Sequence, residues 1–99
     1  MHNLGITYAA LERHQDALVM GQKALEFRRR VLSNNHPDVG SSYLSIALSH
    51  HRMGDLRQGV GMAREALRIL QATLPSSHSR VAQARELVRL CEADTARRE

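Results

Sequence analysis

The sequence contains few residues that form covalent cross-links or large aromatic cores. Cys91 is the only cysteine, so no disulfide can form within one chain, and this pattern favours a reducing, cytoplasmic location. Tryptophan is absent, and Tyr8, Phe27 and Tyr43 are the only aromatic residues. Because large side chains are scarce, helices in this chain must pack through aliphatic and small residues. A chain of 99 residues predicts one domain with a small core.

Long apolar runs and a secretory leader pattern are also missing. No apolar stretch has the length of a membrane-spanning helix, and the start lacks the basic, apolar and small-residue order of a signal peptide. We therefore expect no membrane association. The formal net charge of +4 permits acidic partners without requiring nucleic acid.

The sequence does contain an internal repeat with a period of 42 residues. Residues that recur identically at this spacing include Met20, Ala24, Leu25, Leu32, His36 and Val39, which return as Met62, Ala66, Leu67, Leu74, His78 and Val81. A period in this range is typical of stacked helical units, each of which buries its apolar face against its neighbours.

Apolar residues at three- and four-residue spacing predict five helices. The first runs from His2 to Leu11 and ends in a polar turn at residues 12–15. The others are expected at about 16–32, 37–53, 56–74 and 79–94, and residues 95–99 are expected to form a frayed tail. Pro37 suits the first position of a helix, and Gly54 and Pro75 mark ends.

Two features of the last two predicted helices indicate how they pack. Gly59 and Gly61 each cost about 1 kcal/mol relative to alanine inside a helix, so we expect a neighbouring backbone to approach both. Arg85 and Arg89 stand one period after Tyr43 and Ala47. Charged residues at these positions predict a capping helix with a solvent-facing outer side.

The alternation of small and large residues resembles the tetratricopeptide repeat. The residues that carry the resemblance, and that we expect to pack the repeats together, are Leu4, Gly5, Tyr8, Ala17 and Ala24 in one unit and Ile46, Ala47, Gly59 and Ala66 in the next. The 42-residue spacing, with the stretch 24–32 followed by His36-Pro37-Asp38-Val39, is similar to the subfamily of kinesin light chains and nephrocystin-like proteins. The resemblance implies an all-α fold, a right-handed α-solenoid of antiparallel helix pairs. It has about two and a half units: residues 1–33, residues 37–74 and a capping helix at 79–94.

The same resemblance implies a non-catalytic protein-interaction module or scaffold that holds a peptide or helix of a partner in a concave groove. The groove residues it implies are His2, Ile6, Ala9, Ala10, Leu44, Leu48, His51, Arg52, Glu86 and Leu90. Ile6, Leu48 and Leu90 are one period apart and should form an apolar ladder, unless they complete packing between repeats instead. The expected partner brings apolar anchors, with acidic groups facing His51 and Arg52.

Two specialised activities of the family fit the sequence poorly. Relatives that clamp the carboxylate of chaperone tails use Lys, Asn and Arg on the inner helices, whereas the equivalent positions here are His2, Ile6, Leu48, Glu86 and Leu90. Light-chain relatives that read acidic cargo peptides use inner asparagines, and only Asn3 matches that pattern. The alternative function is self-association through the first helix, or a structural role within a longer array.

Other chemistries are argued against by residue spacing. The run Arg28-Arg29-Arg30 favours a structural role at a helix C-terminus over nucleic-acid binding, since no aromatic platform accompanies it. His50 and His51 are adjacent and point to different helix faces, so we expect no metal site, and His36 and His78 suit structural positions in turns. Glu92 beside Cys91 should raise the pKa of the thiol. We expect the chain to have no enzymatic activity and to bind no cofactor.

Overall fold

The chain consists of α-helices in the part that the structure describes. The computed structural model describes the backbone of residues 2–98 and the side chains of residues 13–96. Within these bounds there are four helices and no strand: α1 (His2–Val31), α2 (Pro37–Arg52), α3 (Leu56–Thr73) and α4 (Ser79–Arg98). Helices adjacent in sequence pack against each other, and α2 also contacts α4. The all-α class predicted from the sequence is confirmed.

The predicted count of five helices is wrong, because residues 12–15 are helical and belong to the interior of α1. Glu12, Arg13 and Gln15 are good helix formers, and the segment has neither the glycine nor the proline that stops a helix. Gly5 and Ala17, expected to face each other across a helix pair, therefore lie on one helix. The side chains of Leu4, Gly5 and Tyr8 are outside the described residues.

The last helix extends further than the sequence indicated. We expected it to end near residue 94, whereas α4 continues to Arg98. No glycine or proline follows Asp94. The hydroxyl of Thr95 is also satisfied within the helix, since it donates to the Cys91 carbonyl oxygen at 2.7 Å. A frayed tail beginning at residue 95 is therefore corrected to a continued helix.

The turns that precede α2 and α4 repeat one local structure. His36 precedes α2 and its Nδ1 accepts a hydrogen bond from the Asp38 backbone N–H at 3.0 Å. His78 precedes α4 and its Nδ1 accepts one from the Arg80 N–H at 3.1 Å. Each imidazole thus satisfies an amide that the start of a helix leaves without a helical partner. The two histidines predicted as structural residues are helix caps.

The core lies where α2, α3 and α4 meet. It contains two clusters of buried residues: Ala47, Ala63, Leu87 and Cys91 in one, and Ala66, Leu70, Val81 and Ala84 in the other. The large share of alanine brings the helix axes close together, and the aliphatic side chains fill the space between them. Ile46, Ala47, Gly59 and Ala66, expected as packing residues, are all buried.

Glycines show where the helix backbones come closest. A Cβ atom added to Gly59 would lie 3.4 Å from the His51 backbone nitrogen and 3.5 Å from the Ala47 carbonyl oxygen, which confirms the close approach expected there. At Gly40 it would lie 3.0 Å from side-chain atoms of Ile69 and Leu70. At Gly61 nothing lies within 4 Å, so the expected close approach is wrong for that residue.

The described part of α1 packs on α2 through one side only. A Cβ atom at Gly21 would lie 3.1 Å from Ile46. Near the end of the helix, the Arg28 guanidinium donates hydrogen bonds of 2.9 Å to the Asp38 carbonyl oxygen and to the Ser42 hydroxyl. Ala17, expected to be a packing residue, is exposed, and Ala24 is half-buried. The opposite side of α1 faces outward.

Candidate protein-binding cleft

An open cleft of about 570 Å³ lies between α2 and α4. Its lining residues are Leu44, Ser45 and Leu48 from α2 and Ala82, Gln83, Glu86, Leu87 and Leu90 from α4. Both helices pack against α3, which leaves their other faces side by side with a furrow between them. We call this furrow the α2–α4 cleft.

The internal repeat explains why the two walls match. Leu48 and Leu90 are one period apart and occupy equivalent places on α2 and α4, where they are 37% and 36% exposed. Leu44 is the equivalent of Glu86 in the same way. Because neighbouring units repeat one geometry, equivalent residues form a row across the cleft. The row presents two leucine side chains at its rim, where they are accessible to a ligand.

The floor and rim of the cleft are mostly apolar. Leu87 is buried at the base, and Leu44 is half-buried beside it. Gln83 and Ser45 supply neutral polar groups, and Glu86 supplies the charged group. A complex of this surface with a ligand is stabilised chiefly by burial of apolar groups, which contributes about 25 cal/mol per Å² of apolar area buried.

The charge of Glu86 is held by its own helix. Arg89 donates hydrogen bonds to both Glu86 carboxylate oxygens, and these bonds set the pKa of the carboxyl below its ordinary value. The pKa of the Arg89 guanidinium is raised by the same bonds. Glu86 is therefore ionised at neutral pH. It lies at the rim with its counterion one turn further along α4, and both groups are exposed.

His51 and Arg52 lie at the end of α2, beyond the residues that line the cleft. The His51 Nε2 atom is 3.0 Å from the Asp94 Oδ2 atom, so this ring connects α2 to α4. Arg52 is exposed. Of the predicted groove residues, the structure brings together Leu44, Leu48, Glu86 and Leu90. His2, Ile6, Ala9 and Ala10 belong to α1, and their side chains lie outside the described residues.

Sequence reasoning missed Ser45, Ala82, Gln83 and Leu87 as lining residues. The repeat held a signal for Leu87 alone, because Leu87 follows Ser45 by one period, whereas the equivalents of Ala82 and Gln83 do not line the cleft. Since Ser45 lies next to Leu44 on the same helix, its equivalent in α4 was a candidate as well. Asp94, the partner of His51, carried no such signal, because its contact depends on how α2 and α4 pack.

The basic run at the end of α1 is largely engaged with the protein itself. Arg28 holds the start of α2, and Arg30 pairs with Glu26 one helical turn earlier at 2.5 Å. The neighbouring hollow, of about 460 Å³, is lined by Gln22, Leu25, Glu26, Arg29, Arg30 and Asn34. Arginines with these partners and this position fit a role at the α1 C-terminus, where positive charge is favourable.

The lone thiol is placed for packing. Cys91 is fully buried in the core, and burial raises the pKa of its thiol, with further contributions from Asp94 and Glu92. The sequence predicted the direction of this shift but assigned it to Glu92 alone. A thiol with a raised pKa carries little thiolate at neutral pH and is a poor nucleophile.

Two features are absent from the described residues. No group of three or more His, Cys, Asp or Glu side chains is arranged so that it could hold a metal ion. None of the described helices combines the length and apolar character that a bilayer crossing needs.

Comparison with known proteins gives consistent matches. A family model described as tetratricopeptide repeat matches residues 1–72. The chain is 33% identical over 70 residues to Protein KINESIN LIGHT CHAIN-RELATED 3 of Arabidopsis thaliana, a match that covers 71% of this chain and 11% of the relative. It is 32% identical over 75 residues to Protein KINESIN LIGHT CHAIN-RELATED 1 of the same plant, covering 76% and 12%. The chain therefore spans roughly a tenth of the length of these relatives.

Proposed function

Since the chain belongs to the tetratricopeptide repeat family, whose repeats generally mediate protein–protein interaction, we propose that it is a non-catalytic binding module whose α2–α4 cleft holds a peptide or helix of a protein partner. The observation that carries the proposal is the pair of leucines at the cleft rim. Leu48 and Leu90 are each more than one third exposed, although both belong to helices whose other faces are in the core. Apolar groups in this position are stabilised when a ligand covers them.

The shape of the cleft favours an amphipathic helix or an extended segment with apolar anchors. Leu48 and Leu90 offer apolar contacts, whereas Gln83 and Ser45 offer hydrogen bonds that orient a backbone or polar side chain. Acidic groups of the partner fit best near Arg52, at the end of α2, rather than near Glu86. We extend the proposal to a right-handed superhelical arrangement of the repeats and to a cytoplasmic location, where the buried Cys91 stays reduced.

The test is a selection of peptides by the immobilised chain, followed by measurement of the dissociation constant for a selected peptide. We expect Leu48→Glu to raise that constant at least about tenfold, because covering one leucine side chain contributes roughly 1.5–3 kcal/mol. Leu90→Glu should have a similar effect. Val19→Glu is the matched control, since Val19 is exposed on α1 away from the cleft.

Circular dichroism separates a binding defect from unfolding. Both leucines are at the rim, so each variant should retain the helical signal of the unaltered chain. If Leu48→Glu binds the selected peptide as tightly as Val19→Glu does, the cleft is not the binding site. If Leu48→Glu instead loses its helical signal, Leu48 completes the packing between repeats, and Leu90→Glu decides the question.

A further inference from the structure

An apolar stripe of five residues runs along α1, and four of the five are exposed while Ala24 is half-buried. Ala17, Met20, Ala24, Phe27 and Val31 recur at alternating spacings of three and four, which are the a and d positions of a heptad. We call these residues the α1 stripe. Met20, Phe27 and Val31 are 69%, 64% and 62% exposed. Three large apolar side chains in one exposed row are typical of an interaction surface.

The stripe is complementary to itself when two copies of α1 run antiparallel. In the register that sets Phe27 against Ala17 of the second copy, Met20 meets Ala24 of the second copy. The four central layers then each pair one large side chain with one small one, so that the helices can approach closely there, and the two outer layers place Val31 beside the aliphatic part of Arg13 of the second copy. A parallel pair lacks this match, because it sets Phe27 beside Phe27 and alanine beside alanine.

Charges beside the stripe favour the same arrangement. Asp16, Lys23 and Arg30 precede Ala17, Ala24 and Val31 by one residue and flank the stripe at the g positions of the heptad. In the antiparallel register, Asp16 lies opposite Arg30 of the second copy at both ends, and these two pairs of opposite charge outnumber the single pair of Lys23 with Lys23 at the two-fold axis. In a parallel pair the g positions face e positions of the second copy, so Asp16 would lie near Gly21 without an opposite charge and Lys23 would lie near Arg28. Arg30 pairs with Glu26 within one copy, but both side chains are exposed, so Arg30 can leave Glu26 and pair with Asp16 of the second copy at little cost.

From this double match in size and charge, we propose that the chain forms a two-fold symmetric dimer through antiparallel pairing of the α1 stripes. The occupant of the stripe is a second copy of this chain. The surface lies on α1, away from the α2–α4 cleft, and the dimer does not depend on the function proposed for that cleft. Two clefts are then held on one rigid particle, which strengthens binding to a partner that carries two anchors.

The first test is sedimentation velocity of the full chain from micromolar to millimolar concentration. We expect a concentration-dependent dimer for the unaltered chain. Phe27→Glu should raise the dimer dissociation constant at least about 100-fold, because two buried phenylalanines are lost for each dimer. Val19→Glu, which places the same charge on α1 beside the stripe, should leave the dimer largely intact. The helical signal should persist in both variants, since both residues are exposed in the single copy.

The second test uses charge reversal and fixes the orientation of the two helices. Asp16→Arg and Arg30→Asp should each weaken self-association about tenfold, since each variant places like charges at both ends of the pair. When the two variants are mixed, both ends regain opposite charges, and a mixed dimer should form with nearly the original affinity. A parallel pair predicts a different result for the mixture, because positions 16 and 30 would not face each other and mixing the two variants would restore no affinity.

Three outcomes overturn the proposal. The first is that the unaltered chain remains monomeric at millimolar concentration, which would mean that another segment or another protein covers the stripe. The second is that Phe27→Glu dimerises as well as the unaltered chain. The third is that the mixture of Asp16→Arg and Arg30→Asp associates no better than either variant alone.

Discussion

α1 and α3 are related by the 42-residue period, but equivalent residues on them have different surroundings. Phe27 is 64% exposed, whereas its equivalent Ile69 is 1% exposed. Ala17 is exposed, whereas its equivalent Gly59 is buried. α3 lies between α2 and α4, and the described part of α1 contacts α2 alone. Phe27 and Ala17 are exposed because the described part of α1 packs on a single helix, whereas their equivalents on α3 are covered by its neighbours.

The strongest way to test this difference is to remove the equivalent large side chains. Ile69→Ala should lower the free energy of unfolding by about 2–5 kcal/mol, because it leaves a cavity in the core. Phe27→Ala should change it by no more than about 0.5 kcal/mol, because an exposed side chain has few contacts to lose. Urea denaturation at low micromolar concentration, where dimers are absent, measures both. Equal losses would mean that another part of the chain covers α1 in solution.

Glycines sharpen the comparison, because they report the space beside each helix. Gly40→Ala should destabilise the fold by about 1 kcal/mol. The added methyl group would lie 3.0 Å from side-chain atoms of Ile69 and Leu70, and the cost of this steric contact exceeds the gain in helix propensity. Gly61→Ala should stabilise the fold by about 0.5–1 kcal/mol, because it adds helix propensity where nothing lies within 4 Å. Thermal unfolding followed by circular dichroism distinguishes them. A stabilising Gly40→Ala would contradict the packing described for α2 and α3.

The two histidine caps test whether equivalent turns contribute equally. His36→Ala and His78→Ala should each cost about 1 kcal/mol of stability, because a backbone amide at the helix start loses its acceptor. His36→Asn should recover most of that loss, since asparagine also accepts from an N–H two residues on. Urea denaturation of the three variants measures these differences. If alanine is neutral at either position, the imidazole there is not a cap.

The smallest expected effect concerns the ion pair of Glu65 and Arg68 on α3, which has the same spacing as Glu86 and Arg89 on α4. The pKa of Glu65 is lowered by its hydrogen bonds to Arg68, so the pair stabilises the folded chain above the ordinary carboxyl pKa. This contribution is small because the pair is exposed, and it is lost as the pH falls through the lowered pKa. Arg68→Gln should raise the pKa of Glu65 toward its ordinary value in an NMR titration. An unchanged pKa would show that the pair does not persist in solution.

The residues that end helices could be recognised in the sequence where they act by themselves. Pro37 begins α2, and Gly54, with a φ of 81°, follows its end at a conformation that glycine adopts without strain. Residues 12–15 could not be interpreted in this way, because a polar stretch is equally typical of a turn and of the exposed side of a long helix. The extent of α4 was underestimated for the same reason.

The candidate site was predictable to the extent that it follows the repeat. The family resemblance placed Leu44, Leu48, Glu86 and Leu90 on one surface, the period linked Leu48 to Leu90, and the structure brings all four together. The contact between His51 and Asp94 joins residues far apart in sequence that are not related by the period. Gly61 was misjudged because sequence shows that a glycine is in a helix but does not show which neighbour faces it.

By itself, the sequence determined the all-α class, the family and the equivalence of residues one period apart, because these depend on local propensity and on spacing along the chain. Only the tertiary structure decided that α1 is continuous, that its apolar stripe is exposed and that α2 and α4 form a cleft. Each of these depends on which helices lie side by side. An apolar surface is stabilised only when a second surface covers it, so its burial cannot be inferred from one segment of the sequence.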